Sequence, residues 1–201
     1  MKAYHFLQAD MRAGSGHEPP WKIGEKREIE GEIALCERGY HSSRTWYDAL
    51  QYAPGPVACI VEVSGQIECC ADKQVSQTRK LLQAVNVDRE LRLFACECAE
   101  RALKRLNVTD ERNWRVIAVS RQYAGGQASK EDLAVARAAV VEACSRVEAV
   151  VEAGRAAAWD AAKWAARDAA WDAAKDAEIR WQKRRLNRYM QEAFNRCEEI
   201  V

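Results

Sequence analysis

The sequence predicts an α+β protein: a small mixed α/β-sheet module over residues 1–79, then an all-α, Ala-rich helical bundle over residues 80–201. Three observations carry this expectation. Residues 1–79 hold all four Pro, seven of the ten Gly and all three His of the 201-residue chain, and residues 80–201 hold no Pro. Gly and Pro punctuate short strands and turns, whereas a long Pro-free stretch rich in Ala, Arg and Glu is helix-forming. Apolar residues partly alternate in the first part and recur at helical spacing in the second. Net charge divides with them, −2 over residues 1–79 and +3 over residues 80–201. The boundary is expected between Asp72 and Asp88.

In the first part, Ala3-Tyr4-His5-Phe6-Leu7 reads as an opening strand. Met11 to Pro20 reads as a loop, with Gly14-Ser15-Gly16 at its centre. Trp21 to Gly24 is expected as a short strand. Glu28 to Cys36 follows, with Ile29, Ile33 and Leu35 partly alternating with polar residues. Ser42 or Ser43 is placed to cap a helix that Pro54 stops, with Trp46, Ala49, Leu50 and Ala53 on one face. Ala58-Cys59-Ile60-Val61-Glu62-Val63 is the strongest strand. Ser64-Gly65 is expected to turn it into a further strand, Gln66 to Cys70.

In the second part, Asp88 opens a helix through Leu106, its inward face carrying Leu91, Phe94, Ala95, Cys98, Ala102 and Leu106. Thr109 or Asp110 starts the next helix, which Gly125-Gly126 stops. Ser129-Lys130-Glu131-Asp132 has capping-box spacing and opens a helical region that runs without Pro to the C-terminus, Gly154 being its weak point. Within it, Trp159-Asp160-Ala161-Ala162-Lys163 returns twelve residues later as Trp171-Asp172-Ala173-Ala174-Lys175. At about 100° per residue, Ala158, Ala162, Ala165, Ala169 and Ala173 form one narrow stripe, and Trp164 and Trp171 lie opposite it. The two indoles are expected to pack on the N-terminal module and join both parts into one rigid body, the sharper alternative being an aromatic patch for a partner. Farther on, Leu186, Tyr189, Met190, Ala193, Phe194 and Cys197 form an apolar stripe beside the basic cluster Lys183-Arg184-Arg185 and Arg188.

Composition excludes several classes. Apolar residues are 48% and charged residues 30%, which argues against a disordered chain. No apolar run approaches the roughly 20 residues that span a bilayer, and the N-terminal residues begin no signal peptide. Lys plus Arg number 31 against 30 Asp plus Glu, which argues against general nucleic-acid binding. Eight Cys without a signal peptide point to free thiols in a reducing cytoplasm, with no disulfide.

The groups that carry chemistry mostly fail on spacing. Cys96 and Cys98 point about 200° apart on a helix, so they cannot clasp one ion, and Cys69-Cys70 lacks a second pair at zinc-finger spacing. No metal and no cofactor are expected. Gly14-Ser15-Gly16 lacks the Lys of a phosphate loop. The candidate surface is the start of the helix expected over 43–53, where Tyr40, His41, Ser42 and Ser43 gather. Arg38 and Arg44 would add charge-assisted hydrogen bonds to a phosphate or carboxylate, and Trp21 or Trp46 would stack on a base. The plain alternative is that these residues close a turn and fill a small core.

Two resemblances add to this. The segments Met1–Leu7, Pro20–Gly24, Cys36–Ser43, Asp48–Ala53 and Val61–Gly65 together resemble an uncharacterised domain common in phage and prophage proteins. Leu91–Arg101, Arg121–Gly126 and the Ala/Trp tract resemble the Ala-rich helical immunity-protein family, although Arg112-Asn113 stands where that family often has Arg-Pro. The resemblance implies a non-catalytic phage-type accessory protein that binds and inhibits or sequesters a host factor, such as a defence component. Two alternatives stand beside it. One is a sponge that holds a small nucleotide signal between the two modules. The other is an enzyme with a His41/Cys36 site, or a nearby carboxylate such as Glu62, in the first module. The expected partner is thus a host protein or a small nucleotide, with no membrane, and self-association is left open.

Overall fold

The computed structural model describes residues 1–14, 18–105, 107–139 and 161–198, with the side chains of 161–174 and 198 left aside. The protein is α+β, an antiparallel sheet followed by helices. In chain order the elements are β1 (Lys2–Leu7), β2 (Lys26–Glu28), β3 (Tyr40–Ser42), α1 (Trp46–Leu50), β4 (Val57–Cys69), β5 (Gln74–Asn86), α2 (Asp88–Arg105), α3 (Glu111–Ala124), a helix α4 over residues 130–139, and α5 (Ala161–Glu198). Two compact units result: Met1–Leu91 together with Lys183–Val201, and Arg92–Gln182.

In the first unit the sheet order is β1-β4-β5-β2, with β3 also on β5, and all pairings are antiparallel. Side chains alternate across the sheet, so Ala3, His5 and Leu7 share one face of β1 and meet Val61, Cys59 and Val57 of β4 in register. That face is an apolar core of Ala3, Leu7, Trp21, Tyr40, Val57, Cys59, Val61, Val63 and Leu81. On the other face Trp46 of α1 packs on Tyr4 and Phe6, with ring centroids 4.3 and 5.8 Å away. Phe194 of α5 meets the same indole at 5.5 Å, and Leu186, Met190 and Ala193 are buried along the stripe the sequence shows. Leu186, Met190 and Phe194 each contribute roughly 1.5–3 kcal/mol by leaving water, and Ala193 less. Arg196 adds an ion pair with the buried Glu90 at 2.5 Å, and Lys183 lies 3.8 Å from Asp48.

Several elements differ from the sequence reading, each for a local reason. Helix α1 is five residues long and Thr45 caps it, accepting a hydrogen bond from the Asp48 amide. Ser42 lies in β3, and the Ser43 amide donates to the Tyr4 carbonyl at 2.9 Å, so neither serine is free to cap a helix. Trp21–Gly24 forms a turn rather than a strand, its ends tied by Trp21 N–H to Met11 and Gly24 N–H to Leu81. Ser64-Gly65 makes no hairpin. Gly65, at φ 77°, sits in a bulge that β4 runs through, and the turn into β5 comes after Cys69. Strand β5 fills most of the interval from Asp72 to Asp88 in which the boundary is expected. Its sequence concealed it, because Gln74, Ser76, Thr78 and Arg79 are buried polar residues where a sheet core ordinarily shows apolar ones.

In the second unit, Asp110 caps α3 and Gly125 closes it. Ser129 and Asp132 form the expected reciprocal cap, with Asp132 N–H to Ser129 Oγ at 3.0 Å and Ser129 N–H to Asp132 Oδ2 at 2.9 Å. Phe94, Ile117, Leu133 and Ala136 are buried, and the buried Cys96 thiol donates to the Ile117 carbonyl at 3.8 Å. Glu178 draws Arg101 to 3.1 Å and Arg105 to 2.8 Å. Lys104 and Arg121 both donate to Glu100, which holds its carboxyl down at about 2.

Trp164 and Trp171 fall on α5, but their side chains, like Trp159 and Gly154, lie outside the described residues. The expected rigid body and aromatic patch, which rest on those two indoles, lie outside them too. No described helix is long and apolar enough to cross a membrane.

Candidate functional site

A cleft of about 490 Å³ opens in the first unit, on the face of the sheet that carries His5. β1 supplies His5, β3 supplies Tyr40, His41 and Ser42, and β5 supplies Arg79. Glu18, Cys36, Tyr52 and Lys73 come from the connecting segments.

Arg79 is the least ordinary of these residues, because it is charged and only 3% exposed. Its guanidinium donates to the His41 carbonyl at 3.0 Å and lies 4.3 Å from the Trp21 ring centroid and 5.1 Å from that of Tyr40. Among the described residues no carboxylate stands within ion-pair distance of it. Burial lowers its pKa to about 10, so it still carries its charge at neutral pH. Its cross-strand neighbour shows the contrast. Arg27 pairs with Arg79 in the β2–β5 register and lies over the same indole at 4.0 Å, but it holds Glu25 at 2.8 Å and Glu18 at 3.4 Å. A buried charge is costly unless paired, so Arg27 has its counter-charge in contact, whereas Arg79 has a carbonyl, two rings and the more distant charge of Glu18.

His5 is the second unusual group. Ala3 and Leu7 on either side of it are buried core residues, and its Nε2 atom is buried without a hydrogen-bond partner among the described residues. Burial, with the charges of Arg79 and His41 adding to it, pushes the imidazole pKa well below its ordinary value, so the ring is neutral.

His41 differs. Its Nε2 accepts the Cys36 backbone N–H at 2.9 Å, and a backbone bond to Gly39 favours its protonated form. Burial outweighs that bond and lowers its pKa overall. His41 therefore braces the turn that leads into β3, and Cys36 sits there with φ at 71°. The Lys73 ammonium hydrogen-bonds the Cys36 thiol, which raises the lysine's pKa, and lies 4.7 Å above the Tyr52 ring. Ser42 accepts from Gln74 Nε2 at 3.2 Å, and Ser76 donates to the Tyr40 and Thr78 carbonyls at 3.3 and 3.0 Å.

The sequence-predicted site residues divide accordingly. Tyr40, His41, Ser42 and Ser43 do line one cleft. They are not gathered at a helix N-terminus, because strand pairing has taken the serine amides and α1 begins at Trp46. Arg38 is not in the cleft; it donates to the carbonyls of Glu30 and Glu32, holding their loop. Arg44 donates to the Cys70 carbonyl at 3.1 Å and lines a separate cavity of about 360 Å³. Trp46 borders that second cavity and Trp21 is buried beneath the arginines, so neither offers an open ring to the cleft. Sequence reasoning missed His5, Arg79, Glu18 and Lys73. For His5 a signal existed, since it stands between Ala3 and Leu7 at strand spacing and so faces inward.

The cleft and its buried guanidinium define a sheet module with a built polar site. Residues 1–92 match the family model of a domain of unknown function, DUF7666, and to that extent the N-terminal part of the chain is similar to this family. No curated protein and no solved structure matches the chain.

Proposed function

We propose that this chain is a non-catalytic accessory protein whose N-terminal module captures a small molecule in the cleft of the first unit. The observation that carries the reading is Arg79, a buried cation on the cleft wall with no carboxylate partner among the described residues. A cleft of this size with a few convergent polar groups is the usual form of a small-ligand site. The ligand is held within the first unit, by β1, β3 and β5, rather than between two modules. The bracing of His41 on both sides of its ring supports binding over catalysis, since a general base needs a free nitrogen toward its substrate. The resemblance of residues 1–79 to a phage and prophage domain supports sequestration of a host molecule as the biological role, with the cytoplasm as its place.

Mass spectrometry of molecules released on denaturing the purified chain tests this. One compound at near-stoichiometric amount is expected from the wild type, and much less from Ala13→Phe, which narrows the cleft. A chain that releases nothing, and whose unfolding temperature no nucleotide or other metabolite raises, would overturn the reading.

A further inference from the structure

We propose that the cleft seats the phosphate of a small phosphomonoester bearing an aromatic ring, with Arg79 as the anion's charge partner and His5 Nε2 as its second polar contact. This rests on the small-ligand reading above and names the chemistry of the ligand. The argument begins with charge. The ionised groups that line the cleft are Arg79, Lys73 and Glu18. Glu18 is already engaged, accepting from Trp21 Nε1 at 3.1 Å and from Arg27 at 3.4 Å. Glu18's charge reaches Arg79 without forming an ion pair, so the cleft keeps an excess of positive charge, deepest at Arg79, where the low-dielectric surroundings strengthen any hydrogen bond to an anion. A guanidinium offers five N–H donors in a planar fork that suits phosphate, and the described residues engage it with one carbonyl.

His5 completes the argument. Its buried Nε2 faces a desolvation cost that nothing in the protein offsets, and a phosphate oxygen beside Arg79 would accept a hydrogen bond from it. The ring is neutral before binding, so an arriving anion would also raise its pKa, which makes His5 a reporter of the event. The aromatic half of the ligand follows from Tyr52, 48% exposed at the cleft with Lys73 over its ring, a surface on which a base can stack.

The test titrates the full chain with AMP, adenosine and inorganic phosphate, by calorimetry and by the NMR signal of the His5 ring. AMP is expected to bind at least tenfold more tightly than either adenosine or inorganic phosphate, and both phosphate-bearing compounds should shift the His5 signal saturably. Arg79→Met should abolish the preference for AMP over adenosine. His5→Asn, the milder variant should Arg79→Met fail to fold, should weaken AMP and leave adenosine unchanged. Equal affinity for AMP and adenosine overturns the phosphate seat while leaving the small-ligand reading intact. Equal affinity for AMP and inorganic phosphate overturns the aromatic half. A His5 signal that none of the three moves overturns the proposal as a whole, whereas failure of the small-ligand reading shows separately, as a chain that releases no bound molecule.

Discussion

His5 links the cleft to the stability of the sheet. In the unfolded chain an imidazole takes up its proton near pH 6.5, and in the folded module burial and Arg79 delay that to well below this value. Between the two values the unfolded state binds more protons than the native state. Stability is therefore full above about pH 6.5 and falls as pH drops through the window, by at most about 1.4 kcal/mol per pH unit for one such group. His41, lowered chiefly by burial and next by Lys73, acts in the same direction. Urea unfolding at pH 7.5 and 5.5 should show the wild type losing more stability than His5→Gln, and an equal loss in both would show that His5 does not titrate this way. His5 left a signal in the sequence through its place between Ala3 and Leu7, although the sequence reading did not single it out. Arg79 left none, because a lone arginine in Gln77-Thr78-Arg79-Lys80 reads as a solvated charge. Only the pairing of β5 with β2 and β3 turns it inward, and no local pattern encodes that pairing.

Among the elements, β3 is short, and what fixes it is the turn before it. Gly39 stands there at φ 130°, and a Cβ at this position would lie 2.3 Å from Val75 Cγ2 in β5. Only glycine takes that backbone conformation at little cost, and Val75, wholly buried, has no room to retreat. Gly39→Ala is expected to destabilise the first unit by about 2 kcal/mol or more, and to weaken the cleft by displacing Tyr40 and His41. Thermal unfolding with the wild-type midpoint would show that the turn relaxes instead. Glycine in Arg38-Gly39-Tyr40 signalled a turn, but not which strand it would press against. The same limit governs α1. Trp46, Ala49, Leu50 and Ala53 do share helical spacing, yet the helix opens only at Trp46, because Thr45 and not Ser43 supplies its N-cap, and it closes at Gln51 before Ala53 is reached. In contrast α3 and the Ser129 cap were legible throughout, since caps act within four residues and need no distant partner.

At the scale of the molecule, the first unit is assembled from both ends of the described chain. Phe194 packs on Trp46, Leu186, Met190 and Ala193 are buried beside it along the same helix, and Arg196 pairs with the buried Glu90 across 106 residues of sequence. A chain ending at residue 182 should expose the Trp46 face. Its tryptophan emission should shift to the red, it should bind a hydrophobic dye, and the first unit should lose several kcal/mol in unfolding, since four apolar side chains lose their burial. Unchanged fluorescence would show that the sheet stands without the segment. The apolar stripe of 186–197 was legible as a helix face, but its destination was not, because periodicity names a buried face and not what covers it.

The discontinuity also sets a timetable for synthesis. A ribosome releases residues 1–91 long before residues 183–201, so the nascent sheet has its strands in hand while the Tyr4–Phe6–Trp46 face still lacks its cover. Closure needs a contact of very high sequence separation, and such contacts form late and slowly. During that interval the half-finished module presents aromatic surface to chaperones and proteases, and the Ala-rich stretch between its two parts must be made in full before the protein can close.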